Sequence, residues 1–159
     1  MREVLGYENC LISMMIEEQH FGDLLDRVVD FNIELARIAR QRYGMEIVAM
    51  TDDVANDIGL LMSPELYFRL IAPRFRRVVQ GYKSLGYLTI KHSDGDIRPL
   101  IDRWLDSGID CLDPVDPAAG LDLGDFKRRY GGRNIIHSGV PAANYAVMLK
   151  ALRQHGCYA

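Results

Sequence analysis

YLTIKHSDGD, Tyr87 to Asp96, is a short apolar, β-branched run that stops on a cluster of titratable and small residues. A strand that ends this way is how α/β barrels and open α/β sheets present their chemistry. The pattern recurs along the chain. Glu46–Met50 runs into Thr51-Asp52-Asp53, Ile109–Leu112 into Asp113-Pro114, and Asn134–Ile136 into His137-Ser138-Gly139. The polar groups of all four runs therefore lie at the C-terminal ends, the face on which barrels carry their active sites.

Helical patterns fill the spaces between these runs. Two are expected ahead of the first strand, over 8–18 and 21–43, the second ending at Gly44. A third starts at Ser63-Pro64-Glu65, where serine caps, proline suits the first helical position and glutamate suits the positive end of the dipole. Pro73 should kink or break that helix. Later helices are expected over 97–107, from Asp122 to Gly131-Gly132, and over 142–154. Strands alternating with helices on short connections imply a parallel sheet with right-handed crossovers. The expectation is an α/β fold, a partial TIM (β/α)8 barrel of about four βα units. A complete barrel takes about 250 residues; this chain has 159 and reads as a single domain, 1–159, truncated at both ends. A half-barrel leaves strand edges open, so a homodimer that completes the sheet is the alternative to truncation.

Bulk properties narrow the function. A formal net charge of −3 gives no electrostatic reason to expect nucleic acid or an anionic membrane as partner. No apolar run reaches the roughly 18 residues of a membrane span. Cys10, Cys111 and Cys157 are scattered and form no CxxC pair, which fits a reducing, cytoplasmic setting.

His92 and Asp94 stand two apart at a strand end, so in extended backbone both point the same way. They can act as two metal ligands or as a base with its orienter. The competing structural reading has Asp94 capping the next helix through the Asp94-Gly95-Asp96 turn, with His92 bonded to backbone. Asp52 and Asp53 are adjacent carboxylates that can raise one another's pKa and supply a general acid; alternatively one caps a turn and the other is solvated. With His92 they form the catalytic candidates. Asp113 and Asp116 lie in DPVDP, read first as turn-makers, with Asp116 also a candidate for lining a substrate pocket. His137 and Ser138 end the fourth strand and join Asp94 and Asp116 as substrate-binding candidates. Arg69, Arg74, Arg76, Arg77 and Lys83 read as the solvated face of the third helix.

Three segments in combination resemble the uroporphyrinogen decarboxylase superfamily: MTDDVANDIGLLMSPELYFRLIAPRFRRV from Met50, IKHSDGDIRPLIDRWLDSGIDCLDPVDPAAGLDLGDFKRRYGGR from Ile90, and the strand that closes on Ser138-Gly139. That superfamily contains haem-pathway decarboxylases and cobalamin-linked methyltransferases. The resemblance implies a TIM barrel with its site at the C-terminal strand ends, and a tetrapyrrole or other small-molecule substrate. For the methyltransferases it implies a corrinoid protein partner and zinc, held at this position by His-x-Cys. Here His92 matches and Asp94 replaces the cysteine, so any zinc would have an N/O first shell. The decarboxylases' catalytic aspartate and substrate-gripping arginines would lie in the N-terminal part of the barrel, outside this chain. An acidic rim of Asp52, Asp53, Asp57, Asp94, Asp96 and Asp113, with Lys91 and Arg98 as the nearby cations, should repel a polyanionic tetrapyrrole. Three readings result: a carboxy-lyase of porphyrin metabolism, a zinc methyltransferase working with a corrinoid protein, and a non-catalytic fragment.

Overall fold

The computed structural model describes residues 5–137. Helix α1 (Tyr7–Ile16) leads into the long α2 (Glu18–Tyr43). Gly44 ends α2 at φ +65°, a left-handed conformation that glycine adopts without strain, and its N–H caps the Arg40 carbonyl. Strand β1 (Ile47–Thr51) follows, then a small hairpin of β2 (Ala55–Asn56) and β3 (Gly59–Leu60). Asn56 makes this hairpin turn, its side-chain oxygen accepting from Ile58 N at 2.9 Å and Gly59 N at 3.1 Å.

The third helical region opens as its sequence indicates. Ser63 Oγ accepts from Leu66 N at the start of α3 (Pro64–Leu66). Pro73 has no N–H to give to the carbonyl four residues back, and the chain ahead of it widens into one π turn, Tyr67–Ile71, before α4 (Ala72–Ser84). The break at Pro73 thus takes the form of a π bulge. Strand β4 (Leu88–His92), α5 (Ile101–Ser107), β5 (Cys111–Asp113), a 3-10 turn (Pro117–Ala119), α6 (Leu123–Tyr130) and β6 (Ile135–Ile136) complete the order. Asp122 caps α6 by accepting from Asp125 N at 2.7 Å. The helix expected from Ile97 starts four residues later, because Pro99 and the Asp96–Arg98 turn occupy its first part. The helix expected over 142–154 lies outside the described residues.

All pairings in the main sheet are parallel, in the order β1-β4-β5-β6. Strands that follow one another in both sequence and space, joined by crossovers of one hand, place every crossover helix on the same side. This is barrel-like topology, and the partial TIM-barrel expectation holds. The outer face carries the core, with Thr89, Lys91 and Leu112 fully buried against Val79, Ile97, Leu100, Ile101 and Trp104. Among the described residues no helix covers the inner face. Ile47 and Leu88 are register partners there and Ile135 pairs with Cys111; each of the three is more than half exposed.

Arg69, Arg76 and Arg77 are exposed, as a solvated face requires, whereas Arg74 is partly buried, and three of the four arginines also reach α2. Arg74 donates to the carbonyls of Gly22 and Leu70 and pairs with Asp26 at 2.8 Å; Arg77 pairs with Asp26 and Asp30, and Arg69 with Glu18 at 2.7 Å. They join α4 and its π turn to α2. Their partners lie about 50 residues away in sequence, so periodicity could not reveal them.

Candidate metal-binding site at the strand ends

The site is built on the register of three strands. Thr51, His92 and Asp113 are successive partners across β1, β4 and β5, which aligns their side chains on the inner face. His92 Nδ1 lies 3.1 Å from Asp113 Oδ2. The other oxygen of Asp113 is in hydrogen-bond contact with Nδ1 of His137, one residue beyond β6. Burial alone would raise the Asp113 carboxyl, but the bonds from His137 and His92 outweigh it and hold the group below the ordinary carboxylate range. An ionised carboxylate only accepts, so Nδ1 of His92 carries a hydrogen, which leaves Nε2 as the nitrogen that can offer a lone pair to a metal.

That nitrogen faces two more carboxylates, Asp53 Oδ1 at 3.8 Å and Asp94 Oδ1 at 3.9 Å. One ligand atom from each of Asp53, His92 and Asp94 lies within 4.8 Å of the others. Ligands bonded to zinc at 2.0–2.2 Å stand about 3.3–3.6 Å apart in a tetrahedron. Contracting the cluster to that size takes small rotations of half-exposed side chains. The second-shell carboxylate on His92 is the arrangement that orients metal-binding imidazoles. A hard, three-ligand N/O set suits zinc or another divalent first-row ion and leaves coordination positions open to solvent. The residues fit a metal.

The loop after β4 is shaped to deliver Asp94. Gly95 has φ +85°, and a Cβ there would stand 2.6 Å from the backbone of Asn56 in the hairpin. Asp96 N donates to Asn56 O at 2.9 Å, and Val54 N donates to the buried Ser93 Oγ at 3.2 Å. Asp96, not Asp94, makes the turn into the next helix, accepting from Arg98 N and pairing with the Arg98 guanidinium. Asp94 stays free of the turn and points toward His92. Its own N–H donates to Asp53 Oδ1 at 3.3 Å, which links two of the three ligands.

Asp52 and Asp53 diverge, because successive residues alternate faces. Asp53 turns inward to His92. The Asp52 carboxylate contacts the Nζ of Lys91, which is fully buried. The Lys91 ammonium also donates to the carbonyls of Asp52 (3.1 Å) and His92 (2.6 Å) and sits 4.6 Å from the centre of the Trp104 ring. Burial lowers the Lys91 pKa and Asp52 opposes this; burial likewise raises Asp52 and Lys91 opposes that. Burial has the larger effect on each, holding the Asp52 carboxyl above and the Lys91 ammonium below their ordinary ranges. Trp104 Nε1 in turn donates to the buried Tyr67 hydroxyl at 2.7 Å, whose pKa is raised by burial.

Of the sequence-derived candidates, the structure brings Asp53, His92, Asp94 and His137 to one rim. Asp52 sits behind that rim as the partner of Lys91. The Asp116 carboxylate accepts from Ala118 N at 2.8 Å and caps the 3-10 turn. Ser138 lies outside the described residues. Two residues were undervalued in sequence. Asp113 was read as a turn-maker yet holds two imidazoles, and its place directly after a strand, level with His92, was the available signal. Lys91 was counted as a cation of the mouth, although the alternation Leu88-Thr89-Ile90-Lys91-His92 puts it opposite His92.

Comparison with known proteins places this geometry in a family. A search of curated proteins gives no match. A solved structure of a methyltransferase from Methanosarcina mazei superposes with a TM-score of 0.66 at 22% identity, over 81% of this chain and 36% of that one. At that identity the likeness speaks for the fold, and the chain spans about a third of that protein's length. The family model for uroporphyrinogen decarboxylase (URO-D) matches residues 2–137. The four parallel strands, the polar groups at their C-terminal ends and this match over most of the chain lead to one conclusion: the chain belongs to the uroporphyrinogen decarboxylase (URO-D) family.

Proposed function

We propose that this chain forms the metal-binding wall of a URO-D-family methyltransferase, with Asp53, His92 and Asp94 as ligands of one divalent cation, zinc first. The observation that carries this reading is the pair of contacts on His92: Nδ1 held by Asp113, and Nε2 directed between two carboxylates. When bound, such an ion supplies Lewis acidity and lowers the pKa of a coordinated thiol or water. The chain's own residues do the positioning. Asp113 fixes the ring and tautomer of His92 and raises the basicity of Nε2. Asp53 and Asp94 bring two negative charges, which favour a cation and keep the site's net charge low once it is filled.

The electrostatics favours this reading over a carboxy-lyase acting on a polyanionic tetrapyrrole. Both cations that the sequence offered near the mouth are already engaged, Lys91 by Asp52 behind the rim and Arg98 by Asp96. The structural neighbour is a methyltransferase, which agrees in class. A methyl donor carried on a corrinoid protein is the partner this reading implies.

Equilibrium dialysis against zinc and cobalt(II), followed by metal analysis, tests it. One ion per chain is expected, lost in His92→Ala and at least tenfold weaker in Asp94→Ala. Zinc-dependent methyl transfer from methylcobalamin to a thiol should follow the same variants. Absence of stoichiometric metal, or metal retained in His92→Ala, would sink the proposal.

A further inference from the structure

The buried ammonium behind the rim is used by nothing so far described. Lys91 is fully buried, and all three of its N–H groups are taken. One goes to the Asp52 carboxylate and the other two to backbone carbonyls, those of Asp52 and His92. These carbonyls belong to the residue before one proposed ligand and to another ligand itself. They sit where the sheet gives out: the last backbone bond between these strand ends, Asp52 N to His92 O, is 3.5 Å long. Just beyond it the two loops are joined by side-chain links, Val54 N to Ser93 Oγ and Asp94 N to Asp53 Oδ1, and the next backbone bond comes further out, Asp96 N to Asn56 O at 2.9 Å. The Trp104 ring covers the ammonium at 4.6 Å and Tyr67 anchors that ring. An apolar residue of the same length would fill this space without the desolvation cost of a buried charge. The specific gain from lysine is a three-way tie across the end of β1 and β4.

We propose that Lys91 is a positioning residue: from the outer face of the sheet it clamps the C-terminal ends of β1 and β4, and so sets the spacing of Asp53, His92 and Asp94 on the inner face. The part of this inference that concerns metal affinity rests on the metal reading above. The part that concerns spacing does not.

The test compares Lys91→Met with Lys83→Met in the full chain. Lys83 is the control because it pairs with Asp110 at 2.6 Å, away from the site. The first readout is amide hydrogen exchange at Val54 and Asp94 in metal-free protein, at a temperature where both variants are folded. Lys91→Met should speed exchange at both amides at least tenfold relative to wild type, while Lys83→Met leaves them within twofold. The second readout is cobalt(II) affinity, expected to fall at least tenfold in Lys91→Met only. The double variant Lys91→Met/Asp52→Asn removes the orphaned carboxylate. It should recover melting temperature but neither slow exchange nor affinity, and it carries the same comparison should Lys91→Met alone not fold. Exchange at Val54 and Asp94 that is unchanged, or equally raised in Lys83→Met, overturns the proposal. A wild type that binds no cobalt(II) ends the metal reading, and the exchange data still decide the role of Lys91.

Discussion

Asp113→Asn is the sharpest probe of the site, because it keeps size and shape while removing one charge. In the native site that charge accepts from His92 at 3.1 Å and from His137. The amide oxygen of asparagine can still accept one of these bonds, but without ionic character, at roughly half the strength. His92 then loses both orientation and part of the basicity of Nε2. Removing a second-shell partner of this kind lowers metal affinity about 10–100-fold, or about 1.4–2.8 kcal/mol. His137→Ala is the matched control, since it takes away the other imidazole and leaves the Asp113–His92 bond in place. Cobalt(II) titration followed by visible absorption at pH 7.5 should show the full loss for Asp113→Asn and less than threefold for His137→Ala. If the two variants weaken binding equally, or if Asp113→Asn stays within twofold of wild type, the carboxylate does not act through His92 and the proposed ligand geometry is wrong.

Two further expectations follow from the scaffold. Gly95→Ala puts a Cβ at 2.6 Å from Asn56 backbone in a residue at φ +85°; the left-handed conformation and the overpacking together should cost at least about 2 kcal/mol in urea denaturation, and a loss under 0.5 kcal/mol would contradict the close approach. Asp110 accepts from Lys83 at 2.6 Å and from Thr89 N and Oγ1; burial alone would raise its carboxyl, but these bonds hold it below the ordinary value. A depressed folded pKa contributes stability that is fully present above the unfolded value of about 3.9 and is lost as pH falls through the folded value. Asp110→Asn should therefore melt lower than wild type at pH 7, with the gap narrowing as pH drops below about 4; a gap that stays constant down to pH 3 would refute the assignment.

Local rules of chain geometry made much of the architecture legible. Gly44, Ser63 and Asp122 mark helix ends through their own backbone and side-chain chemistry, and each performs that role here. The strand-to-polar transitions at Asp53, His92, Asp113 and His137 pointed to one rim because parallel strands bring their C-terminal ends together. The β2–β3 hairpin is not among the expected elements, which placed Asp57 only on an acidic rim; the turn chemistry of Asn56 was the available signal. The pairing of Arg69, Arg74 and Arg77 with α2 was not legible, because helical periodicity reports which face a residue is on, not whether another helix meets that face.

The amino-acid order alone determined the parallel α/β class and, among the described residues, the bounds of the main helices and strands to within a few residues, and it raised His92 and Asp94 as candidate partners. Those depend on short-range periodicity and capping, which are properties of neighbouring residues. The tertiary structure decided which groups act together. Strand register set His92 beside Asp113 and turned Asp53 toward them. Side-chain alternation sent Asp52 and Lys91 to the other face, where helix packing buried the ammonium under Trp104. Contacts among residues 20 to 50 positions apart depend on where separate strands and helices meet, and no local pattern carries that information.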